Sequence, residues 1–114
     1  MRLLPSVELA IIEDQKLTDY LLSLEHPTGR AKARFFRQFG FHLDAWTLLR
    51  AALLDHAQRN GVAWHEETSF GVKYVVDGPL ATPDGRNPMV RTVWFVESDQ
   101  ELPRFITAYP LRGR

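Results

Sequence analysis

The chain has 114 residues and no cysteine, so it carries no disulfide framework, no thiolate nucleophile and no thiolate metal ligand. It also lacks any apolar run of membrane-spanning length, and its opening Met1-Arg2-Leu3-Leu4-Pro5-Ser6 has no apolar stretch of signal-peptide length. A cytoplasmic protein with no membrane partner is expected, with secretion as part of a larger polypeptide left open. No glycine-rich phosphate loop follows a strand and no Gly-x-Ser-x-Gly elbow occurs, which sets aside nucleotide hydrolysis and serine-based acyl transfer. The four histidines are scattered rather than paired at metal-ligand spacing, so no metal site and no other cofactor are expected. A formal net charge of zero argues against a generic nucleic-acid coat.

What is present reads as a single domain over 1–114, long enough for one core and too short for two. Residues 1–13 form an extended lead-in or an edge strand, and Val7 to Ile12 as an edge would also suit a homodimer. Residues 14–61 read as helical. Asp14 is placed to cap a short helix through Leu22, Thr28 to cap Arg30 to Phe39, and Asp44 to cap Ala45 to Arg59. Gly40 and Asn60-Gly61 close the second and third helices, and Pro27 separates the first two by excluding the helical conformation before it. Phe35, Phe36 and Phe39 anchor the second helix, and Trp46, Leu49 and Leu53 the third. From Val62 the apolar period falls to two. Strands are expected at Val62 to Thr68, Val72 to Asp77, Val90 to Val96 and Arg104 to Tyr109. Their short connections favour an antiparallel four-stranded meander over 62–110 with the N-terminal helices packed on one face, an α+β fold.

Several side chains carry chemistry. His26 can move a proton near neutral pH and stands at a rigid junction before a helix, a place that equally suits a histidine bonding a helix end. Arg30, Lys32, Arg34 and Arg37 follow with no carboxylate between Thr28 and Leu43, either a solvated face or a basic surface that steers a phosphate. Thr107 and Tyr109 project from one face of the last strand, with Phe105. Arg91 shares its face with Val93 and Phe95, and a meander brings it beside Thr107. It must pair with a carboxylate such as Asp77 or face a concavity that takes a phosphate. Lys73 is a weaker candidate of the same kind, and Tyr74 reads as core. His42 carries less weight, and His56 and His65 read as surface residues.

Blocks at Lys16 to Leu22, Glu25 to Phe36 (opening Glu-His-Pro-x-Gly), Tyr74 to Leu80, Pro83 to Arg86, Val90 to Trp94 and Pro103 to Pro110 occur in a familiar order. Over roughly Lys16 to Pro110 the chain resembles an uncharacterised family of small bacterial proteins, found alone and at the C-termini of polymorphic toxins. More distantly, it is similar to the toxin nuclease fold shared by barnase, EndoU, colicin D and RelE. Members of that fold run helices first and an antiparallel sheet second, and several end in a Thr-x-Tyr-Pro-like strand, here Thr107-Ala108-Tyr109-Pro110. Thr28-Gly29-Arg30 stands where many toxin-borne copies have a lead-in Gly-Gly.

The resemblance implies a metal-independent toxin ribonuclease in which the 2′-hydroxyl of RNA attacks the adjacent phosphorus. His26 would be general base or acid, Lys32 and Arg91 would hold the phosphate, Thr107 would donate a hydrogen bond, and Tyr109 would stack a base or assist proton transfer. Arg30, Lys73 and Trp94 would support substrate binding. The implied partners are RNA and a cognate antitoxin or immunity protein, with delivery into a target cell where the domain ends a secreted toxin. The rival reading is a non-catalytic protein-binding module using an exposed patch around Trp94 and Arg91. A third, an antitoxin or immunity protein, fits the neutral charge less well.

Overall fold

The computed structural model describes residues 1–111. Period-two patterning yields β1 (Val62–Thr68), β2 (Gly71–Pro79), β3 (Met89–Glu97) and β4 (Arg104–Pro110). They form one antiparallel sheet in the order β1-β2-β3-β4. Ahead of it come α1 (Asp14–Lys16), α2 (Arg30–Gln38) and α3 (Trp46–Arg59). This is the expected α+β architecture: Leu49 and Leu53 of α3 share one buried cluster with Val76, Val90, Trp94 and Phe105 of the sheet. Burying each such side chain contributes about 1.5–3 kcal/mol.

The local details differ from the sequence expectations in instructive ways. In none of α1, α2 and α3 does the N-cap residue's own side chain bond the helix. Asp14 is itself the first residue of α1 and pairs with Arg50 of α3. Beyond α1 the chain widens into a π-helical stretch (Leu17–Leu21), where the Leu22 N–H bonds the Leu17 carbonyl at 2.9 Å. Asp44 falls in a 3-10 turn (Leu43–Ala45) before α3. The N-terminal segment resolves the choice between lead-in and edge strand by doing some of each. It makes a 3-10 turn (Val7–Leu9), then Ile11 bridges in parallel to Arg104, donating to the Pro103 carbonyl at 2.9 Å and accepting from the Phe105 N–H at 2.8 Å. The start of β4's outer edge is thereby covered from within the chain, and those Ile11 groups are taken up before any second copy could pair with them.

A β-bulge corrects the facing of the last strand. Thr107 lies opposite Val93 and Tyr109 opposite Arg91, but the register slips between Val93 and Trp94, so that Phe105 lies opposite Trp94. Phe105 is therefore in the core, against the Trp94 ring, and does not share the Thr107 face. Trp94 is itself fully buried, which removes it from any surface patch.

His56 is the largest departure. It is 1 % exposed, because it lies two helical turns from Leu49 and so on the same inward stripe. Its Nε2–H donates to the carbonyls of Val90 (2.9 Å) and Gly78 (3.1 Å), and its Nδ1 accepts from the Thr92 hydroxyl at 3.2 Å. Burial holds its pKa below the ordinary histidine range, outweighing the two carbonyls that favour the charged form. Folded His56 is thus neutral, and the unfolded chain binds the extra proton once pH drops below about 6.5. The stability this group contributes is complete above that pH and is lost below it. We expect the urea midpoint to fall when pH is lowered from about 7.5 to about 5.5. A His56→Gln variant should start less stable and lose less over the same interval; equal losses in the two proteins would assign the pH dependence to other groups.

Candidate active site

The break at Pro27 sends the chain back past the π-helical stretch, and His26 closes the turn with its own ring. Nδ1 accepts from the N–H groups of Gly29 (2.9 Å) and Thr28 (3.1 Å) and lies 3.2 Å from the Thr28 hydroxyl. The neutral ring therefore carries its proton on Nε2. Thr28 is not the cap of α2: Gly29 holds that position, and its N–H bonds the His26 imidazole. Gly29 is required by closeness rather than by backbone angle, since a Cβ there would come 2.5 Å from the Tyr20 carbonyl oxygen and 2.8 Å from its ring. The His26 and Tyr20 rings meet edge to face with centroids 5.0 Å apart.

Tyr20 stands at the centre of the arrangement. Its hydroxyl is 3.1 Å from the Thr107 hydroxyl on β4. The Lys32 and Lys16 ammonium groups lie 5.3 Å and 5.8 Å from its ring centroid. Partial burial pushes the phenol pKa up, but hydrogen bonding to Thr107 and Lys32 and the charges of Lys32 and Lys16 prevail, leaving it below its ordinary value. Lys16, Asp19, Tyr20, His26 and Thr107 line a cavity of about 510 Å³, with Glu13 on the same wall. A second cavity, also about 510 Å³, is lined by Lys32, Arg34, Gln38 and Tyr109.

The structure thus brings His26, Lys32 and Thr107 together and sets Tyr109 in the neighbouring cavity. It does not bring Arg91 to either. Both nitrogens of that guanidinium fork bond the Asp77 carboxylate at 2.8 Å, and these bonds, before the nearby Tyr109, hold its pKa above the ordinary arginine range. Arg30 is exposed at the start of α2 and lines neither cavity. Lys73 extends over the Trp64 ring, 5.3 Å from its centroid, toward the far edge of the sheet. Trp94, expected at the substrate, instead donates its indole N–H to the buried Thr92 hydroxyl at 2.9 Å. Tyr20 was missed as a site residue because its spacing with Leu17 and Leu21 reads as core. The available signal was chemical, since a phenol on an apolar stripe needs a polar partner for its hydroxyl.

Among the described residues no group of three His, Asp or Glu side chains converges as a metal cluster, and no helix is long and apolar enough to cross a membrane. The fold defined by these elements is that of one chain in a contact-dependent growth inhibition toxin–immunity protein complex from Klebsiella pneumoniae 342. The TM-score is 0.72 at 19 % identity, over 94 % of this chain and 97 % of that one. No curated protein matches the sequence. A family model matches residues 3–112, and the chain belongs to that family, described as a domain of unknown function (DUF6883).

Gly29→Ala isolates the packing that builds the site. Overpacking of this kind costs about 1–3 kcal/mol, so we expect a lowered melting temperature together with a Tyr20 hydroxyl displaced from Thr107 in the variant's structure. A variant with unchanged melting and an intact Tyr20–Thr107 contact would show that the turn yields freely.

Proposed function

We propose that this protein is a metal-independent endoribonuclease of the bacterial toxin type, acting with a cognate immunity or antitoxin protein. The Tyr20–Thr107 hydrogen bond, set in a cavity that His26 and Lys16 also line and with the Lys32 ammonium 5.3 Å from the Tyr20 ring centroid, carries the reading. The fold likeness to a chain of a toxin–immunity complex supports both the toxin class and the kind of partner.

In the proposed reaction the 2′-oxygen forms a bond to phosphorus and the bond from phosphorus to the 5′-oxygen breaks. The products are a 2′,3′-cyclic phosphate and a free 5′-hydroxyl. Lys16 and Lys32 hold the phosphate, and the Thr107 hydroxyl and the His26 Nε2–H donate to its charged oxygens. Tyr20, its pKa lowered against the opposing effect of burial by the hydrogen bond with Thr107 and then by Lys32 and Lys16, gives its own proton to the departing 5′-oxygen. Glu13 and Asp19 line the cavity and are acceptors available to the 2′-hydroxyl proton. His26 can take that proton only in its other tautomer, which would give up the bonds to Thr28 and Gly29, so its readier part is as a donor.

Induced expression in bacteria should arrest growth and cleave RNA. The variants Tyr20→Phe, Thr107→Ala and His26→Ala should each lose on the order of a hundredfold in cleavage rate, as removal of one such donor does. Cleavage by the purified protein should persist in chelator. Normal growth with intact RNA, from protein shown to be folded, would overturn the nuclease reading in favour of a protein-binding module. Rescue of cells from a co-expressed toxin would point instead to the immunity side of such a pair.

A further inference from the structure

We infer that the cavity lined by Lys32, Arg34, Gln38 and Tyr109 is a second nucleotide subsite, holding the RNA residue that adjoins the scissile phosphate. This rests on the ribonuclease reading and extends it. The two cavities are equal in size, about 510 Å³ each, within the range of small-molecule sites. They are linked through Lys32 and through β4, which gives one residue to each. Lys32 forms a wall of the second and approaches the Tyr20 ring of the first at 5.3 Å. Thr107 belongs to the first and Tyr109 to the second, and their partners Val93 and Arg91 are two apart along β3. A strand with one phosphate at Lys32 has a nucleoside on each side of it.

The chemistry of the second cavity differs from that of the first. Glu13 and Asp19 line the first, whereas only cations represent charge in the second. Arg34 is exposed and takes part in no ion pair among the described residues, leaving it free for a phosphate oxygen. Tyr109 supplies a ring on which a base can stack, and such stacking tolerates any base. Gln38 supplies the amide that can read a base edge. Arg91 then acquires a positioning part: locked to Asp77 and opposite Tyr109 in the sheet, it steadies the stacking ring without touching RNA.

The test uses a fluorescent single-stranded RNA carrying 2′-O-methyl groups throughout, which the proposed chemistry cannot cleave. Anisotropy gives its affinity across a salt series, and unmodified RNA gives the kinetics. Tyr109→Ala should weaken binding by about five- to a hundredfold, the loss typical of one stacked base. Arg34→Ala should also weaken it and reduce the salt slope by about 0.7, as for one phosphate contact on a single strand. Gln38→Ala should flatten any preference among homopolymers. Arg34→Ala and Gln38→Ala should raise KM with kcat retained, while Arg59→Ala on α3 should change nothing. If wild type binds and cleaves RNA, but the Arg34→Ala/Tyr109→Ala double variant matches it in affinity, salt slope and KM, the subsite falls and the ribonuclease reading stands. If folded wild type neither binds nor cleaves, the ribonuclease reading fails first and takes the subsite with it.

Discussion

A buried chain of hydrogen bonds fixes how α3 sits on the sheet. The Trp94 indole donates to Thr92, Thr92 donates to His56, and His56 donates to the backbone carbonyls of Val90 and Gly78. Every member has a partner, so the network avoids the roughly 1–3 kcal/mol that a stranded buried polar group costs. Its geometry also admits one placement of the helix. Rotating α3 by a single residue would withdraw the imidazole from Thr92 and from the Val90 and Gly78 carbonyls inside an apolar core. Gly78 belongs to the same constraint: a Cβ there would run into the Asn60 side chain, whose amide donates to the His56 carbonyl at 2.9 Å. The end of α3 is thus held close against β2.

From that anchored sheet, position passes outward to the site. With β3 fixed by Thr92 and Trp94, β4 can pair with it only through the bulge, which sends Phe105 inward while Thr107 and Tyr109 stay opposite Val93 and Arg91. Ile11 then bonds on both sides of Arg104 and delivers the chain to the π-helical stretch. The wider turn and the closeness allowed by Gly29 bring the Tyr20 hydroxyl to Thr107. The proposed chemistry therefore lies at a sheet edge, assembled from three separate segments by contacts that are individually weak. A π-helical turn at such a place is in keeping with the frequency of these irregularities at functional sites.

Much of this could be read from the amino-acid order, and the failures have physical causes. Strands and connections were legible because alternation and turn residues are local properties. His26 and Thr107 were legible as candidates because their residue types stand at a loop junction and on a strand face. Tyr109 followed by the same alternation. Phe105 was misplaced because a bulge leaves no mark in a two-residue period. Trp94 was misplaced because β3 buries residues on both of its faces, Val93 as well as Trp94, so alternation alone cannot rank them. His56 was read as a surface residue although the signal existed: its helical phase with Leu49 and Leu53 pointed inward. Of the expected caps, Thr28 gives way to Gly29, whose N–H bonds the His26 ring, while Asp14 and Asp44 fall inside the helical turns they were expected to precede.

A neutral chain is an unpromising partner for a polyanion until its charges are divided by use. Five arginines, Arg50, Arg59, Arg86, Arg91 and Arg104, are engaged by carboxylates, and their fields are largely cancelled at short range. Lys16, Lys32 and Arg34, which enter no such pair among the described residues, lie at the two adjoining cavities beside β4. Glu66 and Glu67 project from β1, at the opposite edge of the sheet. Beside β4 the second cavity thus presents positive charge alone, while in the first Lys16 is accompanied by Glu13 and Asp19. Net charge governs attraction at distances beyond the Debye length, about 8 Å at physiological salt, whereas local charge governs what happens inside it. Such a protein would have little affinity for nucleic acid in general and would still orient a strand that reaches the α2–β4 seam. On the proposed ribonuclease reading, that is the behaviour suited to cutting at one place rather than coating an RNA along its length.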